Sequence, residues 1–173
     1  MALRASSSDW PSSSAETFSR RSLSEATGHT VQSAARIPTV HVHRERVRFG
    51  DLDANRHLNN VVYLRYFETA RIAFMRRLWP DHDPTKVGGE QLGMIFAECH
   101  INYRAPVAFD EEVEVRCWIG EVRRSACEVR FEMHVGGRLV AEGFGWLVGF
   151  DYATQRATRL PEGLREQLAV AAA

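Results

Sequence analysis

The sequence lacks an excess of either charge: Lys and Arg together number 22, as do Asp and Glu. A balanced chain has no sequence-independent hold on nucleic acid or on an anionic membrane surface. It also lacks a long apolar run, and none approaches the roughly 20 residues that cross a bilayer. No nucleic acid or membrane partner is therefore expected. Cysteine is scarce. Cys99, Cys117 and Cys127 form an odd set without C-x-x-C spacing, which argues against a disulfide framework or a zinc site and fits a reducing compartment such as the cytoplasm. No internal repeat is visible. What remains is ordinary: 45% hydrophobic and 25% charged residues in 173 positions suit one globular domain.

Residues 1–36 differ from the rest. Two serine triplets, Ser6–Ser8 and Ser12–Ser14, sit among few large apolar side chains. Such a segment cannot bury enough surface to offset the entropy of ordering, so it reads as a disordered tail. It has no apolar stretch of the secretory kind. Arg4, Arg20, Arg21 and Arg36 among the serines leave an organelle transit segment as an alternative, but Asp9, Glu16 and Glu25 oppose it.

The folded domain is expected over 37–173. Val40 to Phe49 reads as a first strand. A polar stretch follows, from Gly50 to Asn60. Tyr63, Phe67, Ala70, Phe74 and Leu78 then recur in steps of four, three, four and four, which is one face of a helix. Asn59 or Asn60 can cap its start and Pro80 ends it. A loop with Gly88 and Gly89 comes next, and the period changes to two. Ile95, Ala97, Cys99, Ile101 and Tyr103 alternate, then Val113 to Ile119, then Cys127 to Val135. Gly136-Gly137 predicts a two-residue hairpin turn into a strand from Arg138 to Phe150. A short helix is expected from Pro161. The fold class is α+β: one helix of about 19 residues, roughly 28 Å long, across an antiparallel sheet of about five strands.

The chemistry concentrates between the first strand and the helix. Asp51, Asp53, Asn55, His57, Asn59 and Asn60 fall within ten residues. A carboxylate, an amide and an imidazole at alternate positions can converge on one centre. The helix that follows turns its unpaired N–H groups, near Asn60 and Val61, toward the same place. A base beside donors for a developing oxyanion is what acyl transfer to water requires.

This stretch, R-F-G-D-L-D-A-N-R-H-L-N-N from Arg48 to Asn60, resembles the active-site segment of hotdog-fold thioesterases. The F-G-D-x-D part is similar to the 4-hydroxybenzoyl-CoA thioesterase-like acyl-CoA enzymes, whose catalytic carboxylate falls on Asp53. The D-x-N-x-H-x-N-N part is similar to acyl-ACP thioesterases, whose catalytic Asp, Asn and His fall on Asp53, Asn55 and His57. N-Y-R-A-P at Asn102–Pro106 also fits the hotdog pattern. The resemblance covers about 38–170. It implies hydrolysis of an acyl-CoA, or alternatively an acyl-ACP, with no cofactor or metal, in a homodimer or homotetramer.

Two departures stand out. Many relatives carry Gly where this chain has Arg56, and the Glu-Cys pair of plant-type acyl-ACP enzymes is replaced by Ala105-Pro106. The acyl-CoA reading is favoured on that account. A hotdog enoyl-CoA hydratase misses its usual Asp–His spacing by one residue and lacks its proline. A non-catalytic acyl-binding module is the third reading. Asn59 and Asn55 are expected to brace the turn and Asp51 to hold local hydrogen bonds. Glu68 on the helix is the alternative catalytic carboxylate. Arg71, Arg76 and Arg77 read as a solvated helix face rather than contacts to CoA phosphates. His41 and His43 form an H-x-H that a metal site could use only with Asp51 or Asp53 as further ligands.

Overall fold

The structure, a computed structural model, describes residues 39–80, 82 and 92–173. The expected tail over 1–36 and the Gly88-Gly89 loop lie outside these residues. The elements are β1 (Val40–Arg46), a short 3-10 turn (Phe49–Asp51), α1 (Asn60–Leu78), β2 (Leu92–Tyr103), β3 (Glu112–Val122), β4 (Ala126–Val135), β5 (Arg138–Asp151), the two-residue β6 (Arg156–Ala157) and α2 (Glu162–Ala172). All strand pairings are antiparallel, in the order β1-β3-β4-β5-β2, with β6 beside β5. That leaves β1 and β2 as edges.

The helix face read from the sequence is the face that is buried. Tyr63, Phe67, Ala70, Phe74 and Leu78 are all nearly inaccessible. Phe67, Phe74 and Leu78 each contribute about 1.5–3 kcal/mol when removed from water. They meet Val113, Val115, Cys117, Val129, Phe131 and Met133, the inward residues of β3 and β4. Asn59 caps the helix through its side chain, and the Trp79 N–H closes the other end on the Met75 carbonyl. At the β4–β5 turn Gly136 and Gly137 have φ of 55° and 84°, values that an Asn or Gly tolerates and a branched residue does not. Packed on this sheet, α2 buries Leu164, Leu168 and Ala171. One long helix on an antiparallel sheet is the hotdog arrangement that the resemblance implies.

Three expectations need correction. The first strand ends at Arg46 rather than Phe49, because Phe49–Asp51 turns into the 3-10 segment. On it, Val40 and Val42 face outward while His41 is buried, the reverse of what β-branched residues lead one to expect. In β2 the alternation does not run unbroken from Ile95. A register shift between Phe96 and Glu98 inserts an extra residue, so Met94 and Phe96 face the helix before it and Cys99, Ile101 and Tyr103 after it. Third, Pro161 is the cap residue of α2, and the helix begins at Glu162.

Candidate functional site

The turn that carries the candidate site is built from two aspartates with different tasks. Asp51 is buried. Its carboxylate accepts the Arg48 N–H (3.1 Å), the Tyr66 hydroxyl (2.9 Å) and the Arg65 guanidinium (2.6 Å), and its carbonyl accepts the Asn59 N–H at 2.9 Å. These bonds tie the strand end to the first turns of α1. Burial pushes the Asp51 carboxyl up. The Arg48 N–H, the Tyr66 hydroxyl and the Arg65 and Arg48 charges outweigh it, so the group stays below the usual carboxylate range.

Asp53 sits at the surface of a cleft. Its Oδ1 accepts the N–H groups of His57 at 3.1 Å and Asn55 at 2.8 Å. Those bonds, led by the one from His57, hold its carboxyl below the usual aspartate value. The Asp53 N–H closes on the His57 carbonyl at 2.8 Å, and the Arg56 N–H on the Asp53 carbonyl at 3.0 Å. Arg56 takes φ 62° in this loop. An arginine bears this left-handed conformation at a cost of about 1–2 kcal/mol.

The cleft beside Asp53 is lined by Asn60, Tyr63, Tyr103 and the Arg104–Pro106 segment. The Tyr63 and Tyr103 rings meet edge to face at 5.1 Å, and the Tyr103 hydroxyl donates to the Asn60 carbonyl at 3.1 Å. At the helix start, the Val61 N–H is taken by the Asn59 side chain at 3.0 Å. Asn60 and Val61 are thus not equivalent donors. The Val61 N–H is committed to the cap, and the Asn60 N–H is the one the first turn leaves over.

The other sequence candidates separate. His57 and Asn55 are exposed beside Asp53, and their backbone N–H groups reach it. Glu68 is exposed on α1, 3.9 Å from Arg71, and does not line the Asp53 cleft. His41 is buried, stacked on Phe74 at 5.6 Å, while His43 bonds to Glu45 at 3.0 Å. Among the described residues no group of three His, Cys, Asp or Glu is placed to hold a metal ion. Burial pushes the thiols of Cys117 and Cys127 up to about 12, so neither is a nucleophile at neutral pH. Arg71 is not on a solvated face: its side chain is only 11% exposed.

The family model of the thioesterase-like superfamily matches residues 47–168. The chain belongs to that superfamily. Its fold is that of a hypothetical protein from Thermus thermophilus, with 31% identity, a TM-score of 0.67, and 75% of this chain and 98% of that one covered. It is also similar in fold to a gentisyl-coenzyme A thioesterase, at 23% identity, TM-score 0.65, and 73% and 98% coverage. A curated protein of Aquifex aeolicus (strain VF5), named "Putative esterase", is 30% identical over 83 residues, 48% of this chain. The chain spans 63% of that relative's length.

In this member of the thioesterase-like superfamily, the sequence places Tyr63 in the helix core first and in an acyl-pocket lining second, and Tyr103 was missed as a cleft residue. Tyr103 was legible only as one of an alternating series. The signal that could have found Tyr103 is the motif N-Y-R-A-P itself, because its last four residues, Tyr103 to Pro106, line the cleft.

Proposed function

We propose that the protein hydrolyses an acyl-CoA thioester to a carboxylic acid and CoA, with Asp53 as the catalytic carboxylate. The observation that carries this reading is the position of Asp53: an anionic carboxylate in a cleft that also presents the first turn of α1. The thioester carbonyl lies at the Asn60 N–H, where the helix dipole favours the negative charge that develops on oxygen. Asp53 takes a proton from water as the water oxygen bonds to the carbonyl carbon. The C–S bond then breaks, and the proton passes to the departing CoA thiolate. His57 and Asn55 hold the carboxylate in place through their N–H groups. A thioesterase sharing this fold acts on a coenzyme A thioester, as its name states, which supports CoA as the carrier.

The active form we propose is a homodimer or a dimer of dimers in the cytoplasm. Among the described residues the 12-residue β2 is an edge strand, and such edges pair readily. Beside it, Val61, Leu64 and Ile72 of α1 and Phe96 of β2 leave apolar surface exposed. Light scattering at micromolar concentration tests this, and an active monomer would overturn it.

The test of the activity is release of free thiol from acyl-CoA in the presence of a thiol reagent, by the wild-type protein and by Asp53→Asn. Release that depends on Asp53 is expected. A product with an added hydroxyl and no free CoA would identify a hydratase instead. Tight binding without turnover would identify an acyl-binding module.

A further inference from the structure

A second feature lies along the flank of α1 that faces β2. One groove there is lined by Val61, Leu64, Arg65, Phe67, Glu68, Arg71 and Phe96. A neighbouring, more enclosed slot continues from Arg71 past Ile72 and Met75 to Trp79, with Met94 and Leu147 as its floor. Arg71 is common to both.

The state of this arginine is unusual. Its guanidinium lies 4.7 Å from the centre of the Phe96 ring, and its Nε is buried without a hydrogen-bond partner. Gly145 on β5 makes room for that ring, since a Cβ there would lie 2.3 Å from it. Its nearest carboxylate, Glu68, is 63% exposed and 3.9 Å from the outer nitrogen, beyond hydrogen-bond reach. Burial pulls the Arg71 pKa down, yet an arginine stays protonated. A buried donor left unpaired costs free energy. Among the described residues Glu68 is the one carboxylate of the groove, whereas the enclosed slot beyond Arg71 has none and adds Arg76 as a second cation.

We infer that Arg71 is a specificity-determining residue that receives a carboxylate at the far end of the acyl group, so that the preferred substrates are ω-carboxyacyl-CoA thioesters. This deepens the proposed function and rests on it. Val61, Leu64, Phe67 and Phe96 of the groove suit the methylenes of such an acyl group. A guanidinium suits its terminal carboxylate, to which it offers donors of matching geometry. The ten helical steps from Val61 to Arg71 span about 15 Å. A helical arginine leans toward the N-terminus, so the span from the Asn60 N–H to the guanidinium is shorter and fits an acyl chain of medium length.

The experiment compares adipyl-CoA with hexanoyl-CoA, which differ in a carboxylate against a methyl end. Turnover is measured for wild-type, Arg71→Met and Arg71→Lys proteins. Affinity is measured with the hydrolysis-resistant thioether analogues of both. A hydrogen-bonded charged pair corresponds to a preference of roughly 10- to 100-fold. Wild-type protein is expected to favour the adipyl compound by that factor in kcat/KM and in Kd. Arg71→Met should abolish the preference mainly by weakening the adipyl compound, and Arg71→Lys should keep part of it. Replacing the buried cation by Met is not expected to unfold the protein, because the charge has no ion-pair partner within hydrogen-bond distance; the lysine variant serves as a second check. Equal affinity of wild-type protein for both analogues overturns the inference. So does an Arg71→Met variant that weakens both alike, since that places Arg71 on the CoA moiety. Turnover without preference leaves the thioesterase reading standing. Selective binding without turnover leaves the Arg71 assignment standing and removes that reading.

Discussion

Asp51 and Asp53 are two residues apart and live in different surroundings. Asp51 is buried and held by a backbone N–H, a tyrosine hydroxyl and an arginine. Asp53 is held by backbone N–H groups and the Asn55 side chain of its own loop, and the residue faces a cleft. Both carboxyls are held below their usual range, but by different means. For Asp51 the partners overcome burial and join distant elements. For Asp53 the loop fixes an anion where a substrate can meet it. A low pKa therefore does not by itself separate a structural carboxylate from a catalytic one. What separates them is where the remaining oxygen valence points.

The largest expected effect tests the Asp53 side of that contrast. Asp53→Asn keeps the size of the side chain and removes the base. General-base assistance is worth roughly 100- to 10,000-fold, and turnover should fall by about that factor with the thermal midpoint little changed. Near wild-type hydrolysis by Asp53→Asn, together with an inactive Glu68→Gln, would transfer the catalytic role to the helix glutamate. His57→Ala should show an intermediate loss if the ring contributes beyond its N–H.

Asp51→Ala should do the opposite. It strands Arg65, the Tyr66 hydroxyl and the Arg48 N–H, and loss of hydrogen bonds to a buried charge costs about 2–4 kcal/mol. Urea denaturation reads this as a lower midpoint. The more conservative Asp51→Asn should retain most of the turnover per folded molecule. A large drop in turnover with unchanged stability would mean the two aspartates share the chemistry.

The pH dependence sharpens the same comparison. Because the folded Asp51 carboxyl lies below its unfolded value of about 3.9, its contribution is fully present above that pH and is lost as pH falls through the folded value. Acid unfolding curves of wild-type and Asp51→Asn proteins should therefore differ above pH 4 and converge below it. Asp53 is likewise lowered, so turnover should show no acid limb between pH 5 and neutrality that belongs to this carboxylate. A limb near pH 6 that persists in His57→Ala would contradict the ionised Asp53.

The smallest effect concerns the loop between them. Arg56 is exposed and left-handed. Arg56→Gly removes strain of about 1–2 kcal/mol, partly offset by the greater freedom glycine has in the unfolded chain. A rise in the thermal midpoint of a few degrees at most is expected. A fall would show that the arginine side chain holds the turn.

Much of this molecule was open to reading from its sequence. The four-three-four-four spacing from Tyr63 to Leu78 determined which side of α1 is buried, because helical geometry allows one apolar stripe only one orientation toward a core. Gly136-Gly137 determined a hairpin, because few residues accept two successive positive φ values. The run from Asp51 to Asn60 gave away the candidate site, because local spacing alone brings its backbone N–H groups onto Asp53. Other features depend on residues far apart in the chain, and no local pattern records them. The extra residue in β2 exists only against β5, so the flip that turns Phe96 toward Arg71 was invisible. Arg71 read as one of several surface arginines, because its burial depends on Phe96, Gly145 and the lining of the slot. The meeting of Tyr63 with Tyr103 joins a helix to a strand forty residues away. Periodicity and turn chemistry act between neighbours in sequence. The lining of a cleft is set by which strands pair and in what register, and only the tertiary structure decides that.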